Sequence, residues 1–401
     1  MSQEPFIPYG KQNISDDDIA AVVSALKSDY LTCGPRVDEF ENKFAQFVGA
    51  KHAIVVCNAT AALDLTMRAA GLGPGDRVIT SPNTFLSSAN CAAFVGATPD
   101  FCDIDPATYN LCADSLEKMW TDDIKAVVAV SFAGQSCDMP RIHEIANSRG
   151  AVVIEDASHG TGGGFEIDGT AYKQGGHPWA DMTVFSFHPV KTLTTGEGGI
   201  VITDNDQYAK SLRQLRTHGM TRDAEEFQGL GSDAPALAEK GPWYYEMTEL
   251  GHNFRITDIQ CALGLSQLAR LDQITQRRRD IVAKYNAAFA GLDFLETPKT
   301  LRPQDANHVS WHLYSVQIDF EKLGKSRTAV MGELRGKNVG SQVLYIPVYL
   351  QPYYRNTYGY TAGKCPNSET YYSKALSLPL FPSMTDADVQ RVIEAVKNLN
   401  Q

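Results

Sequence analysis

Short, nearly continuous apolar runs alternate with segments of helical period over the first two thirds of the chain. Ala53-Ile54-Val55-Val56-Cys57, Arg77-Val78-Ile79-Thr80, Ala126-Val127-Val128-Ala129-Val130 and Ala151-Val152-Val153-Ile154 read as strands covered on both faces, because a strand with one wet face would alternate. Between them lie helix candidates at 60–70 and 140–148, the second opening on a proline suited to a first helical turn. The pattern predicts a parallel-rich α/β domain up to about residue 265. From Gln267 it changes to one long charge-rich helix running to Phe289, followed by a smaller α+β segment. We therefore expect a large domain over 1–266, with the N-terminal segment included, and a small domain over 267–401. The triplet Arg277-Arg278-Arg279 reads as a solvated helix face. The Gly- and Pro-containing stretch 229–242 reads as a long loop near the active site or a dimer interface.

A chain of 401 residues, 43% hydrophobic, can bury a core large enough for two domains. Its net charge of −11 argues against nucleic acid as a partner, since phosphate-backbone binders carry basic patches. The eight cysteines are scattered in a long chain that opens on polar residues with no apolar leader, which fits reduced thiols and a cytoplasmic location. No apolar run reaches the ~18 residues of a membrane span.

The chemistry concentrates around Lys191, in Phe185-Ser186-Phe187-His188-Pro189-Val190-Lys191-Thr192, a turn that runs on to Gly196-Glu197-Gly198-Gly199. Upstream, Ile154-Glu155-Asp156 ends a strand on an aspartate. A lysine in a tight glycine-bounded turn together with a strand-end aspartate suggests a pyridoxal phosphate site. The amine forms a Schiff base with the cofactor aldehyde, and the carboxylate keeps the pyridine nitrogen protonated so that the ring can accept electrons. The cofactor phosphate needs a cradle, and the strand at 53–57 runs directly into Asn58-Ala59-Thr60-Ala61. That junction places backbone N–H groups and the Thr60 hydroxyl at a helix N-terminus, though an ordinary helix capped by Thr60 would read the same way.

Competing motifs fail. Lys191-Thr192 lacks the preceding glycine of a P-loop, and Gly160-Thr161-Gly162-Gly163-Gly164-Phe165 has phenylalanine where a dinucleotide fingerprint needs its third glycine. His159, His177 and His188 show no metal-ligand spacing, and no metal is expected.

These words resemble the DegT/StrS family of sugar aminotransferases. So do Leu31-Thr32-Cys33-Gly34-Pro35, Ser81-Pro82-Asn83-Thr84-Phe85, Glu155-Asp156-Ala157-Ser158-His159, the run from Glu249 to Gln260, and the tail segments 345–354 and 375–382. The resemblance implies a fold-type I pyridoxal-phosphate-dependent transferase, built like aspartate aminotransferase from a large α/β/α domain with a mixed, mostly parallel sheet and a smaller C-terminal α+β domain. It implies phosphate contacts from Thr60, Ala61 and Ser186, a ring-stacking role for Phe85, and a homodimer in which Asn253 reaches the partner's cofactor phosphate. His159 would bear on Asp156 or on the ring oxygen. Lys191 would tether the cofactor and move protons, with L-glutamate as donor and a nucleotide-linked keto-sugar as acceptor. Relatives with histidine in place of this lysine dehydrate instead, so the lysine favours amino transfer.

Within the family, the resemblance points to a UDP-linked 2-acetamido-2,6-dideoxy-4-ketohexose aminated at position 4 for pseudaminic acid. GDP- or dTDP-linked sugars and position 3 remain alternatives. Arg255, Tyr345, Tyr349 and Gln351 are the candidate substrate contacts: the arginine could pair with a diphosphate, the tyrosines could stack on a base or sugar. Two departures from the family pattern stand out. The run after His159 is unusually rich in glycine and the segment 171–179 is long, and Tyr349 replaces a histidine found in many relatives. A non-catalytic cofactor-binding regulator on the same scaffold is the reading from another class.

Overall fold

The computed structural model describes residues 5–229 and 240–400. Most of the loop expected over 229–242 therefore lies outside the described residues. The large domain is built on a seven-stranded sheet: β1 (His52–Val56), β2 (Arg77–Thr80), β3 (Thr98–Phe101), β4 (Ile124–Val130), β5 (Val152–Asp156), β8 (Met182–Ser186) and β9 (Gly199–Thr203). A separate hairpin, β6 (Gly164–Ile167) and β7 (Thr170–Lys173), lies between β5 and β8 in the chain. The sheet order is β1-β9-β8-β5-β4-β2-β3. Strand β9 runs against its neighbours, pairing antiparallel with β1 and β8, whereas β8, β5, β4, β2 and β3 pair parallel.

The apolar runs are continuous because helices cover both faces. These are α1 (Asp16–Leu26), α2 (Pro35–Val48), α3 (Ala59–Ala69), α4 (Ser87–Phe94), α5 (Ala113–Met119), α6 (Met139–Asn147), α7 (Asp206–Leu215) and α8 (Asp258–Ala269). Ile54, Val56, Val128, Ile154 and Val184 pack with Leu63, Met67, Leu212 and Leu215 of α3 and α7. Ala53, Val55, Ile200 and Ile202 meet Phe40, Phe44 and Cys261 of α2 and α8 on the other face. The period-2 alternation is thus present in space although both sets are apolar.

The expected long helix from Gln267 is two helices. α8 ends at Ala269, and α9 (Leu271–Phe289) begins after Arg270, whose φ of −118° and ψ of 13° break the helical path. Arg270 is held there by the Asn13 carbonyl and the buried Asp18 carboxylate. α8 packs on α1 and α2; α9 starts in the same core at Leu271 and enters the small-domain core from Ile281 onward.

The small-domain core gathers Tyr285, Phe289, Trp311, Tyr314, Val316, Val330, Leu334, Val392 and Val396 around the three-stranded sheet Leu295–Glu296, Tyr314–Ile318 and Ala375–Leu378. The N-terminal segment, assigned from sequence to the large domain, touches both parts: α1 packs on α8, whereas the residues before it reach this core. Ile7 is buried in it and bridges to Val339, because an isolated apolar residue finds an unpaired backbone edge there.

Arg278 corrects the reading of the triplet as a solvated face. Its side chain is fully buried and donates to the carbonyls of Trp311 (3.2 Å), His312 (3.2 Å) and Leu380 (3.0 Å). Burial lowers its guanidinium to about 10. Arg277, by contrast, pairs with exposed Asp386.

Candidate active site

One row of backbone pairing assembles the site. In the register, Gly199 of β9 lies opposite Val56 on one side and Ser186 on the other, while Asp156 of β5 lies opposite Val184. The carboxyl ends of β1, β5 and β8 therefore open on one edge, the position at which open α/β sheets bind ligands. A cavity of about 960 Å³ lies there. Its wall includes Asn58, Thr60, Ala61, Phe85, Ser88, Asp156, His159, Ser186, Lys191, His312 and Tyr345.

The cap of α3 is Asn58, whose side chain accepts from the Ala61 N–H at 2.8 Å. Thr60 is thereby free of the capping role, and its hydroxyl lies 2.7 Å from that of Ser87 at the cavity wall. The approach of β9 to this turn requires glycine. A Cβ on Gly199 would lie 2.6 Å from the Asn58 carbonyl carbon and 2.7 Å from the Ala59 nitrogen. The first turn of α3, with its unshared N–H groups and positive dipole end, faces Ser186 across this junction.

Asp156 is 4% exposed. One of its oxygens accepts from Ser88 Oγ at 2.6 Å and the other from the Ser158 N–H at 3.1 Å, and a carboxylate has lone pairs left for a further donor. Behind it Glu155 is buried with His177 at 2.9 Å, supported by the Ser131 hydroxyl. His177 is thus a structural partner of Glu155.

Lys191 Nζ has no hydrogen-bond or ion-pair partner among the described residues, and burial pushes its amine down to about 8 against the opposing pull of Asp156. Roughly a tenth of the amine is therefore neutral and nucleophilic at pH 7, far more than for an ordinary lysine. His159 Nδ1 accepts from the Ala133 N–H at 3.3 Å, so the neutral ring carries its proton on Nε2, which faces the Tyr345 hydroxyl at 3.4 Å. Burial first, and Lys191 second, hold His159 well below the usual imidazole range. His312 lies against it with ring centroids 4.5 Å apart and is shifted in the same direction, by burial first and Lys191 second.

These residues fit pyridoxal phosphate. There is an anion cradle at the start of α3, an acceptor at Asp156 for a ring N–H, and an unpartnered amine at Lys191. Phe85 adds an aromatic face at the cavity, and its ring is 58% exposed. A ring left open there is a platform and not a core residue.

The sequence placed Thr60, Ala61, Phe85, Asp156, His159, Ser186, Lys191 and Tyr345 at one cavity, and the structure brings those eight together. Three of the expected substrate contacts lie elsewhere. Tyr349 is fully buried, packs on Phe101 at 5.8 Å and hydrogen-bonds Glu369, so its ring fills the core beneath β3 instead of meeting sugar. Gln351 precedes the helix Pro352–Tyr358, and Arg255 is half-buried; neither lines the cavity. Asn253 is exposed and outside this chain's cavity.

Sequence reasoning missed Ser87 and Ser88, which follow the Ser81–Phe85 word by one helical turn. Their spacing from Thr84 was the available signal, since Thr84 and Ser88 hydroxyls meet at 2.7 Å. It also missed His312 and Tyr9, which carry no local pattern. The glycine run after His159 has a packing cause. A Cβ at Gly160 would meet Gln174 Oε1 at 2.0 Å, and one at Gly164 would meet the Tyr172 carbonyl at 2.2 Å, so the run admits the β6–β7 hairpin.

The family model described as DegT/DnrJ/EryC1/StrS aminotransferase matches residues 12–397. The spore coat polysaccharide biosynthesis protein SpsC of Bacillus subtilis is 43% identical over 396 residues, covering 98% of this chain and 97% of that protein. Among solved structures, Helicobacter pylori PseC, an aminotransferase involved in pseudaminic acid biosynthesis, superposes with a TM-score of 0.86 at 28% identity, covering 98% of this chain and 99% of that one. The sugar aminotransferase Spr1654 of Streptococcus pneumoniae, solved in its pyridoxal phosphate form, gives 0.86 at 28% identity over 98% of both chains. The architecture is that of the fold-type I transferases.

Proposed function

The chain belongs to the DegT/DnrJ/EryC1/StrS aminotransferase family and is a pyridoxal-phosphate-dependent sugar aminotransferase, and we propose that it moves the amino group of L-glutamate to C4 of a UDP-linked 4-keto-6-deoxy sugar. The observation that carries this reading is the unpartnered, burial-depressed amine of Lys191 beside Asp156, in a cavity large enough for cofactor and sugar together. Bound there, pyridoxal phosphate supplies an electron-accepting ring through which an amino group leaves one substrate and joins another.

The chain's own residues do the rest. The first turn of α3, with Thr60, Ala61 and Ser186, would hold the phosphate. Phe85 would support the ring face, Asp156 would accept the ring N–H, and His159 would bear on Asp156 or on the ring oxygen. Lys191 Nζ tethers the cofactor, then takes a proton from the donor's α-carbon as a general base, and in the reverse sense returns one to C4 of the sugar. Tyr345 stands at the substrate side. L-glutamate leaves as 2-oxoglutarate.

The relatives support a surface-glycan destination: one is named for spore coat polysaccharide and another acts in pseudaminic acid biosynthesis. We assign the product to pseudaminic acid formation in the cytoplasm. Eight free cysteines and the lack, among the described residues, of any helix long and apolar enough to cross a membrane accord with that location. A homodimer completes the site: Asn253 is exposed and available to a partner's cofactor phosphate, near exposed Met247 and Leu250. In that assembly Arg255, half-buried and outside the cavity of its own chain, would face the second copy.

The test is a panel of UDP-, GDP- and dTDP-linked 3- and 4-ketosugars with L-glutamate, read by mass spectrometry. Amination of the UDP-linked 4-ketosugar alone, abolished in Lys191→Ala, is expected. Preference for another nucleotide or position would replace the substrate assignment.

A further inference from the structure

The cavity wall has more than one origin. The phosphate cradle, Asp156 and Phe85 come from the large domain and account for the cofactor. The same wall also includes Leu313, Leu344 and Tyr345 of the C-terminal part and Tyr9 of the N-terminal segment. These four give the cavity an apolar and aromatic side that the cofactor contacts do not use.

Tyr9 reaches it on a strap fastened to the small domain. The Ile7 N–H donates to the Asn338 carbonyl at 2.9 Å, the Gly340 N–H donates to the Ile7 carbonyl at 2.8 Å, and the Leu380 N–H donates to the Tyr9 carbonyl at 3.1 Å. Ile7 is sunk in the small-domain core at 3% exposure. Gly340 leaves room for the strap: a Cβ there would lie 2.9 Å from the Ile7 carbonyl oxygen and 3.1 Å from the Tyr9 nitrogen. Pro8 fixes φ between the two anchored residues. On its far side the strap approaches the lysine turn, since a Cβ on Gly10 would stand 3.9 Å from Val190 Cβ. Tyr9 itself is half-buried and packs with Leu344 and Tyr345 against the cluster of Tyr109, Phe132 and Leu313. Its phenol is near enough to Tyr345 to help burial raise that hydroxyl's pKa.

Resting on the proposed function, we infer that Tyr9 is a specificity-determining residue for the acceptor: its ring forms the wall against which the apolar face of the deoxy-sugar packs. Two substrates take turns at Lys191, and their chemistry separates them. A dicarboxylic amino donor is recognised by cations and N–H donors and gains little from an aromatic face. A sugar ring that has lost its 6-hydroxyl presents C–H groups that an aromatic ring covers well. Tyr9 therefore acts in one half of the reaction and not the other.

The experiment separates the halves. Holoenzyme is mixed with L-glutamate in a stopped-flow instrument to follow the cofactor absorbance, and the amine-loaded enzyme is then mixed with the UDP-linked 4-ketosugar. Binding of a UDP-linked 2-acetamido-2,6-dideoxyhexose, which carries a 4-hydroxyl in place of the ketone and so does not react, is measured separately by calorimetry. Tyr9→Ala is expected to lower kcat/KM for the sugar by about 10- to 100-fold and to weaken the calorimetric affinity, while the glutamate half-reaction stays within about twofold. Tyr9→Phe, which keeps the ring, is expected to recover most of the loss. An equal loss in both halves would make Tyr9 a structural residue and overturn the inference, as would unchanged sugar kinetics in Tyr9→Ala or failure of phenylalanine to rescue. If wild-type enzyme consumes glutamate but aminates no nucleotide ketosugar, the functional reading itself has failed, and the inference with it. That result is distinct from an active wild type with an indifferent Tyr9.

Discussion

Lys191→Met should stabilise the cofactor-free protein near neutral pH, although it destroys activity. Burial brings the Lys191 amine from 10.5 to about 8, and a tenfold change in proton affinity is worth about 1.4 kcal/mol. The folded chain thus bears a penalty of at most about 3 kcal/mol for this charge, because water in the cavity recovers part of it. Below pH 8 the amine is charged in both states and the penalty is complete. Between 8 and 10.5 the folded protein gives up its proton first and the penalty fades; above 10.5 it is gone. Urea denaturation of the apo forms, at one protein concentration and at several values from pH 7 to 10.5, should show the methionine variant more stable at pH 7 and the difference narrowing as pH rises. A difference that does not change with pH, or a variant less stable at pH 7, would refute the claim that the lysine is held desolvated and without a hydrogen-bond partner.

The arginine triplet offers a contrast. Arg278→Met should cost roughly 3 kcal/mol because it orphans three buried carbonyls, whereas Arg277→Ala, which breaks a surface pair, should cost under about 1 kcal/mol; thermal or urea unfolding ranks them. Gly199→Ala should push the first turn of α3 away and weaken pyridoxal phosphate binding by about tenfold or more, with the far-UV circular dichroism preserved. A titration of cofactor absorbance reads the first and would sink the cradle argument if affinity were unchanged. His159 and His312 are held neutral, well below the usual imidazole range, so unfolded imidazoles bind protons that folded ones refuse. Stability should fall as pH drops through and below 6.5, and His312→Gln should flatten the decline in melting temperature between pH 7 and 5.

The large domain was legible because its signals are local. A strand buried on both faces is a continuous apolar run, and the turns bearing Asn58 and Lys191 lie within a few residues of the strands that carry them. Asp156, Ser186 and Thr60 could be read for the same reason: each stands at or just beyond a strand's carboxyl end, and parallel order brings those ends together. What stayed hidden depends on contacts distant in sequence. Arg278 looks like its neighbours in the triplet, and only the packing of α9 against residues 311–312 and 380 turns it inward. Tyr349 shares an aromatic-rich stretch with Tyr345, yet the first is taken by Phe101 and the second by the cavity. The crossing of Ile7 into the small domain is decided by an edge at Val339, far along the chain.

Donor, lysine and sugar are tied together by following one nitrogen atom. Wild-type holoenzyme is incubated with 15N-labelled L-glutamate and the UDP-linked 2-acetamido-2,6-dideoxy-4-ketohexose, and the sugar product is examined by mass spectrometry and NMR. Amino transfer through Lys191 requires the label on C4 of the sugar, with 2-oxoglutarate in equal amount and neither product formed by Lys191→Ala. Consumption of glutamate with no label in any sugar, or labelled sugar formed without Lys191, would contradict it.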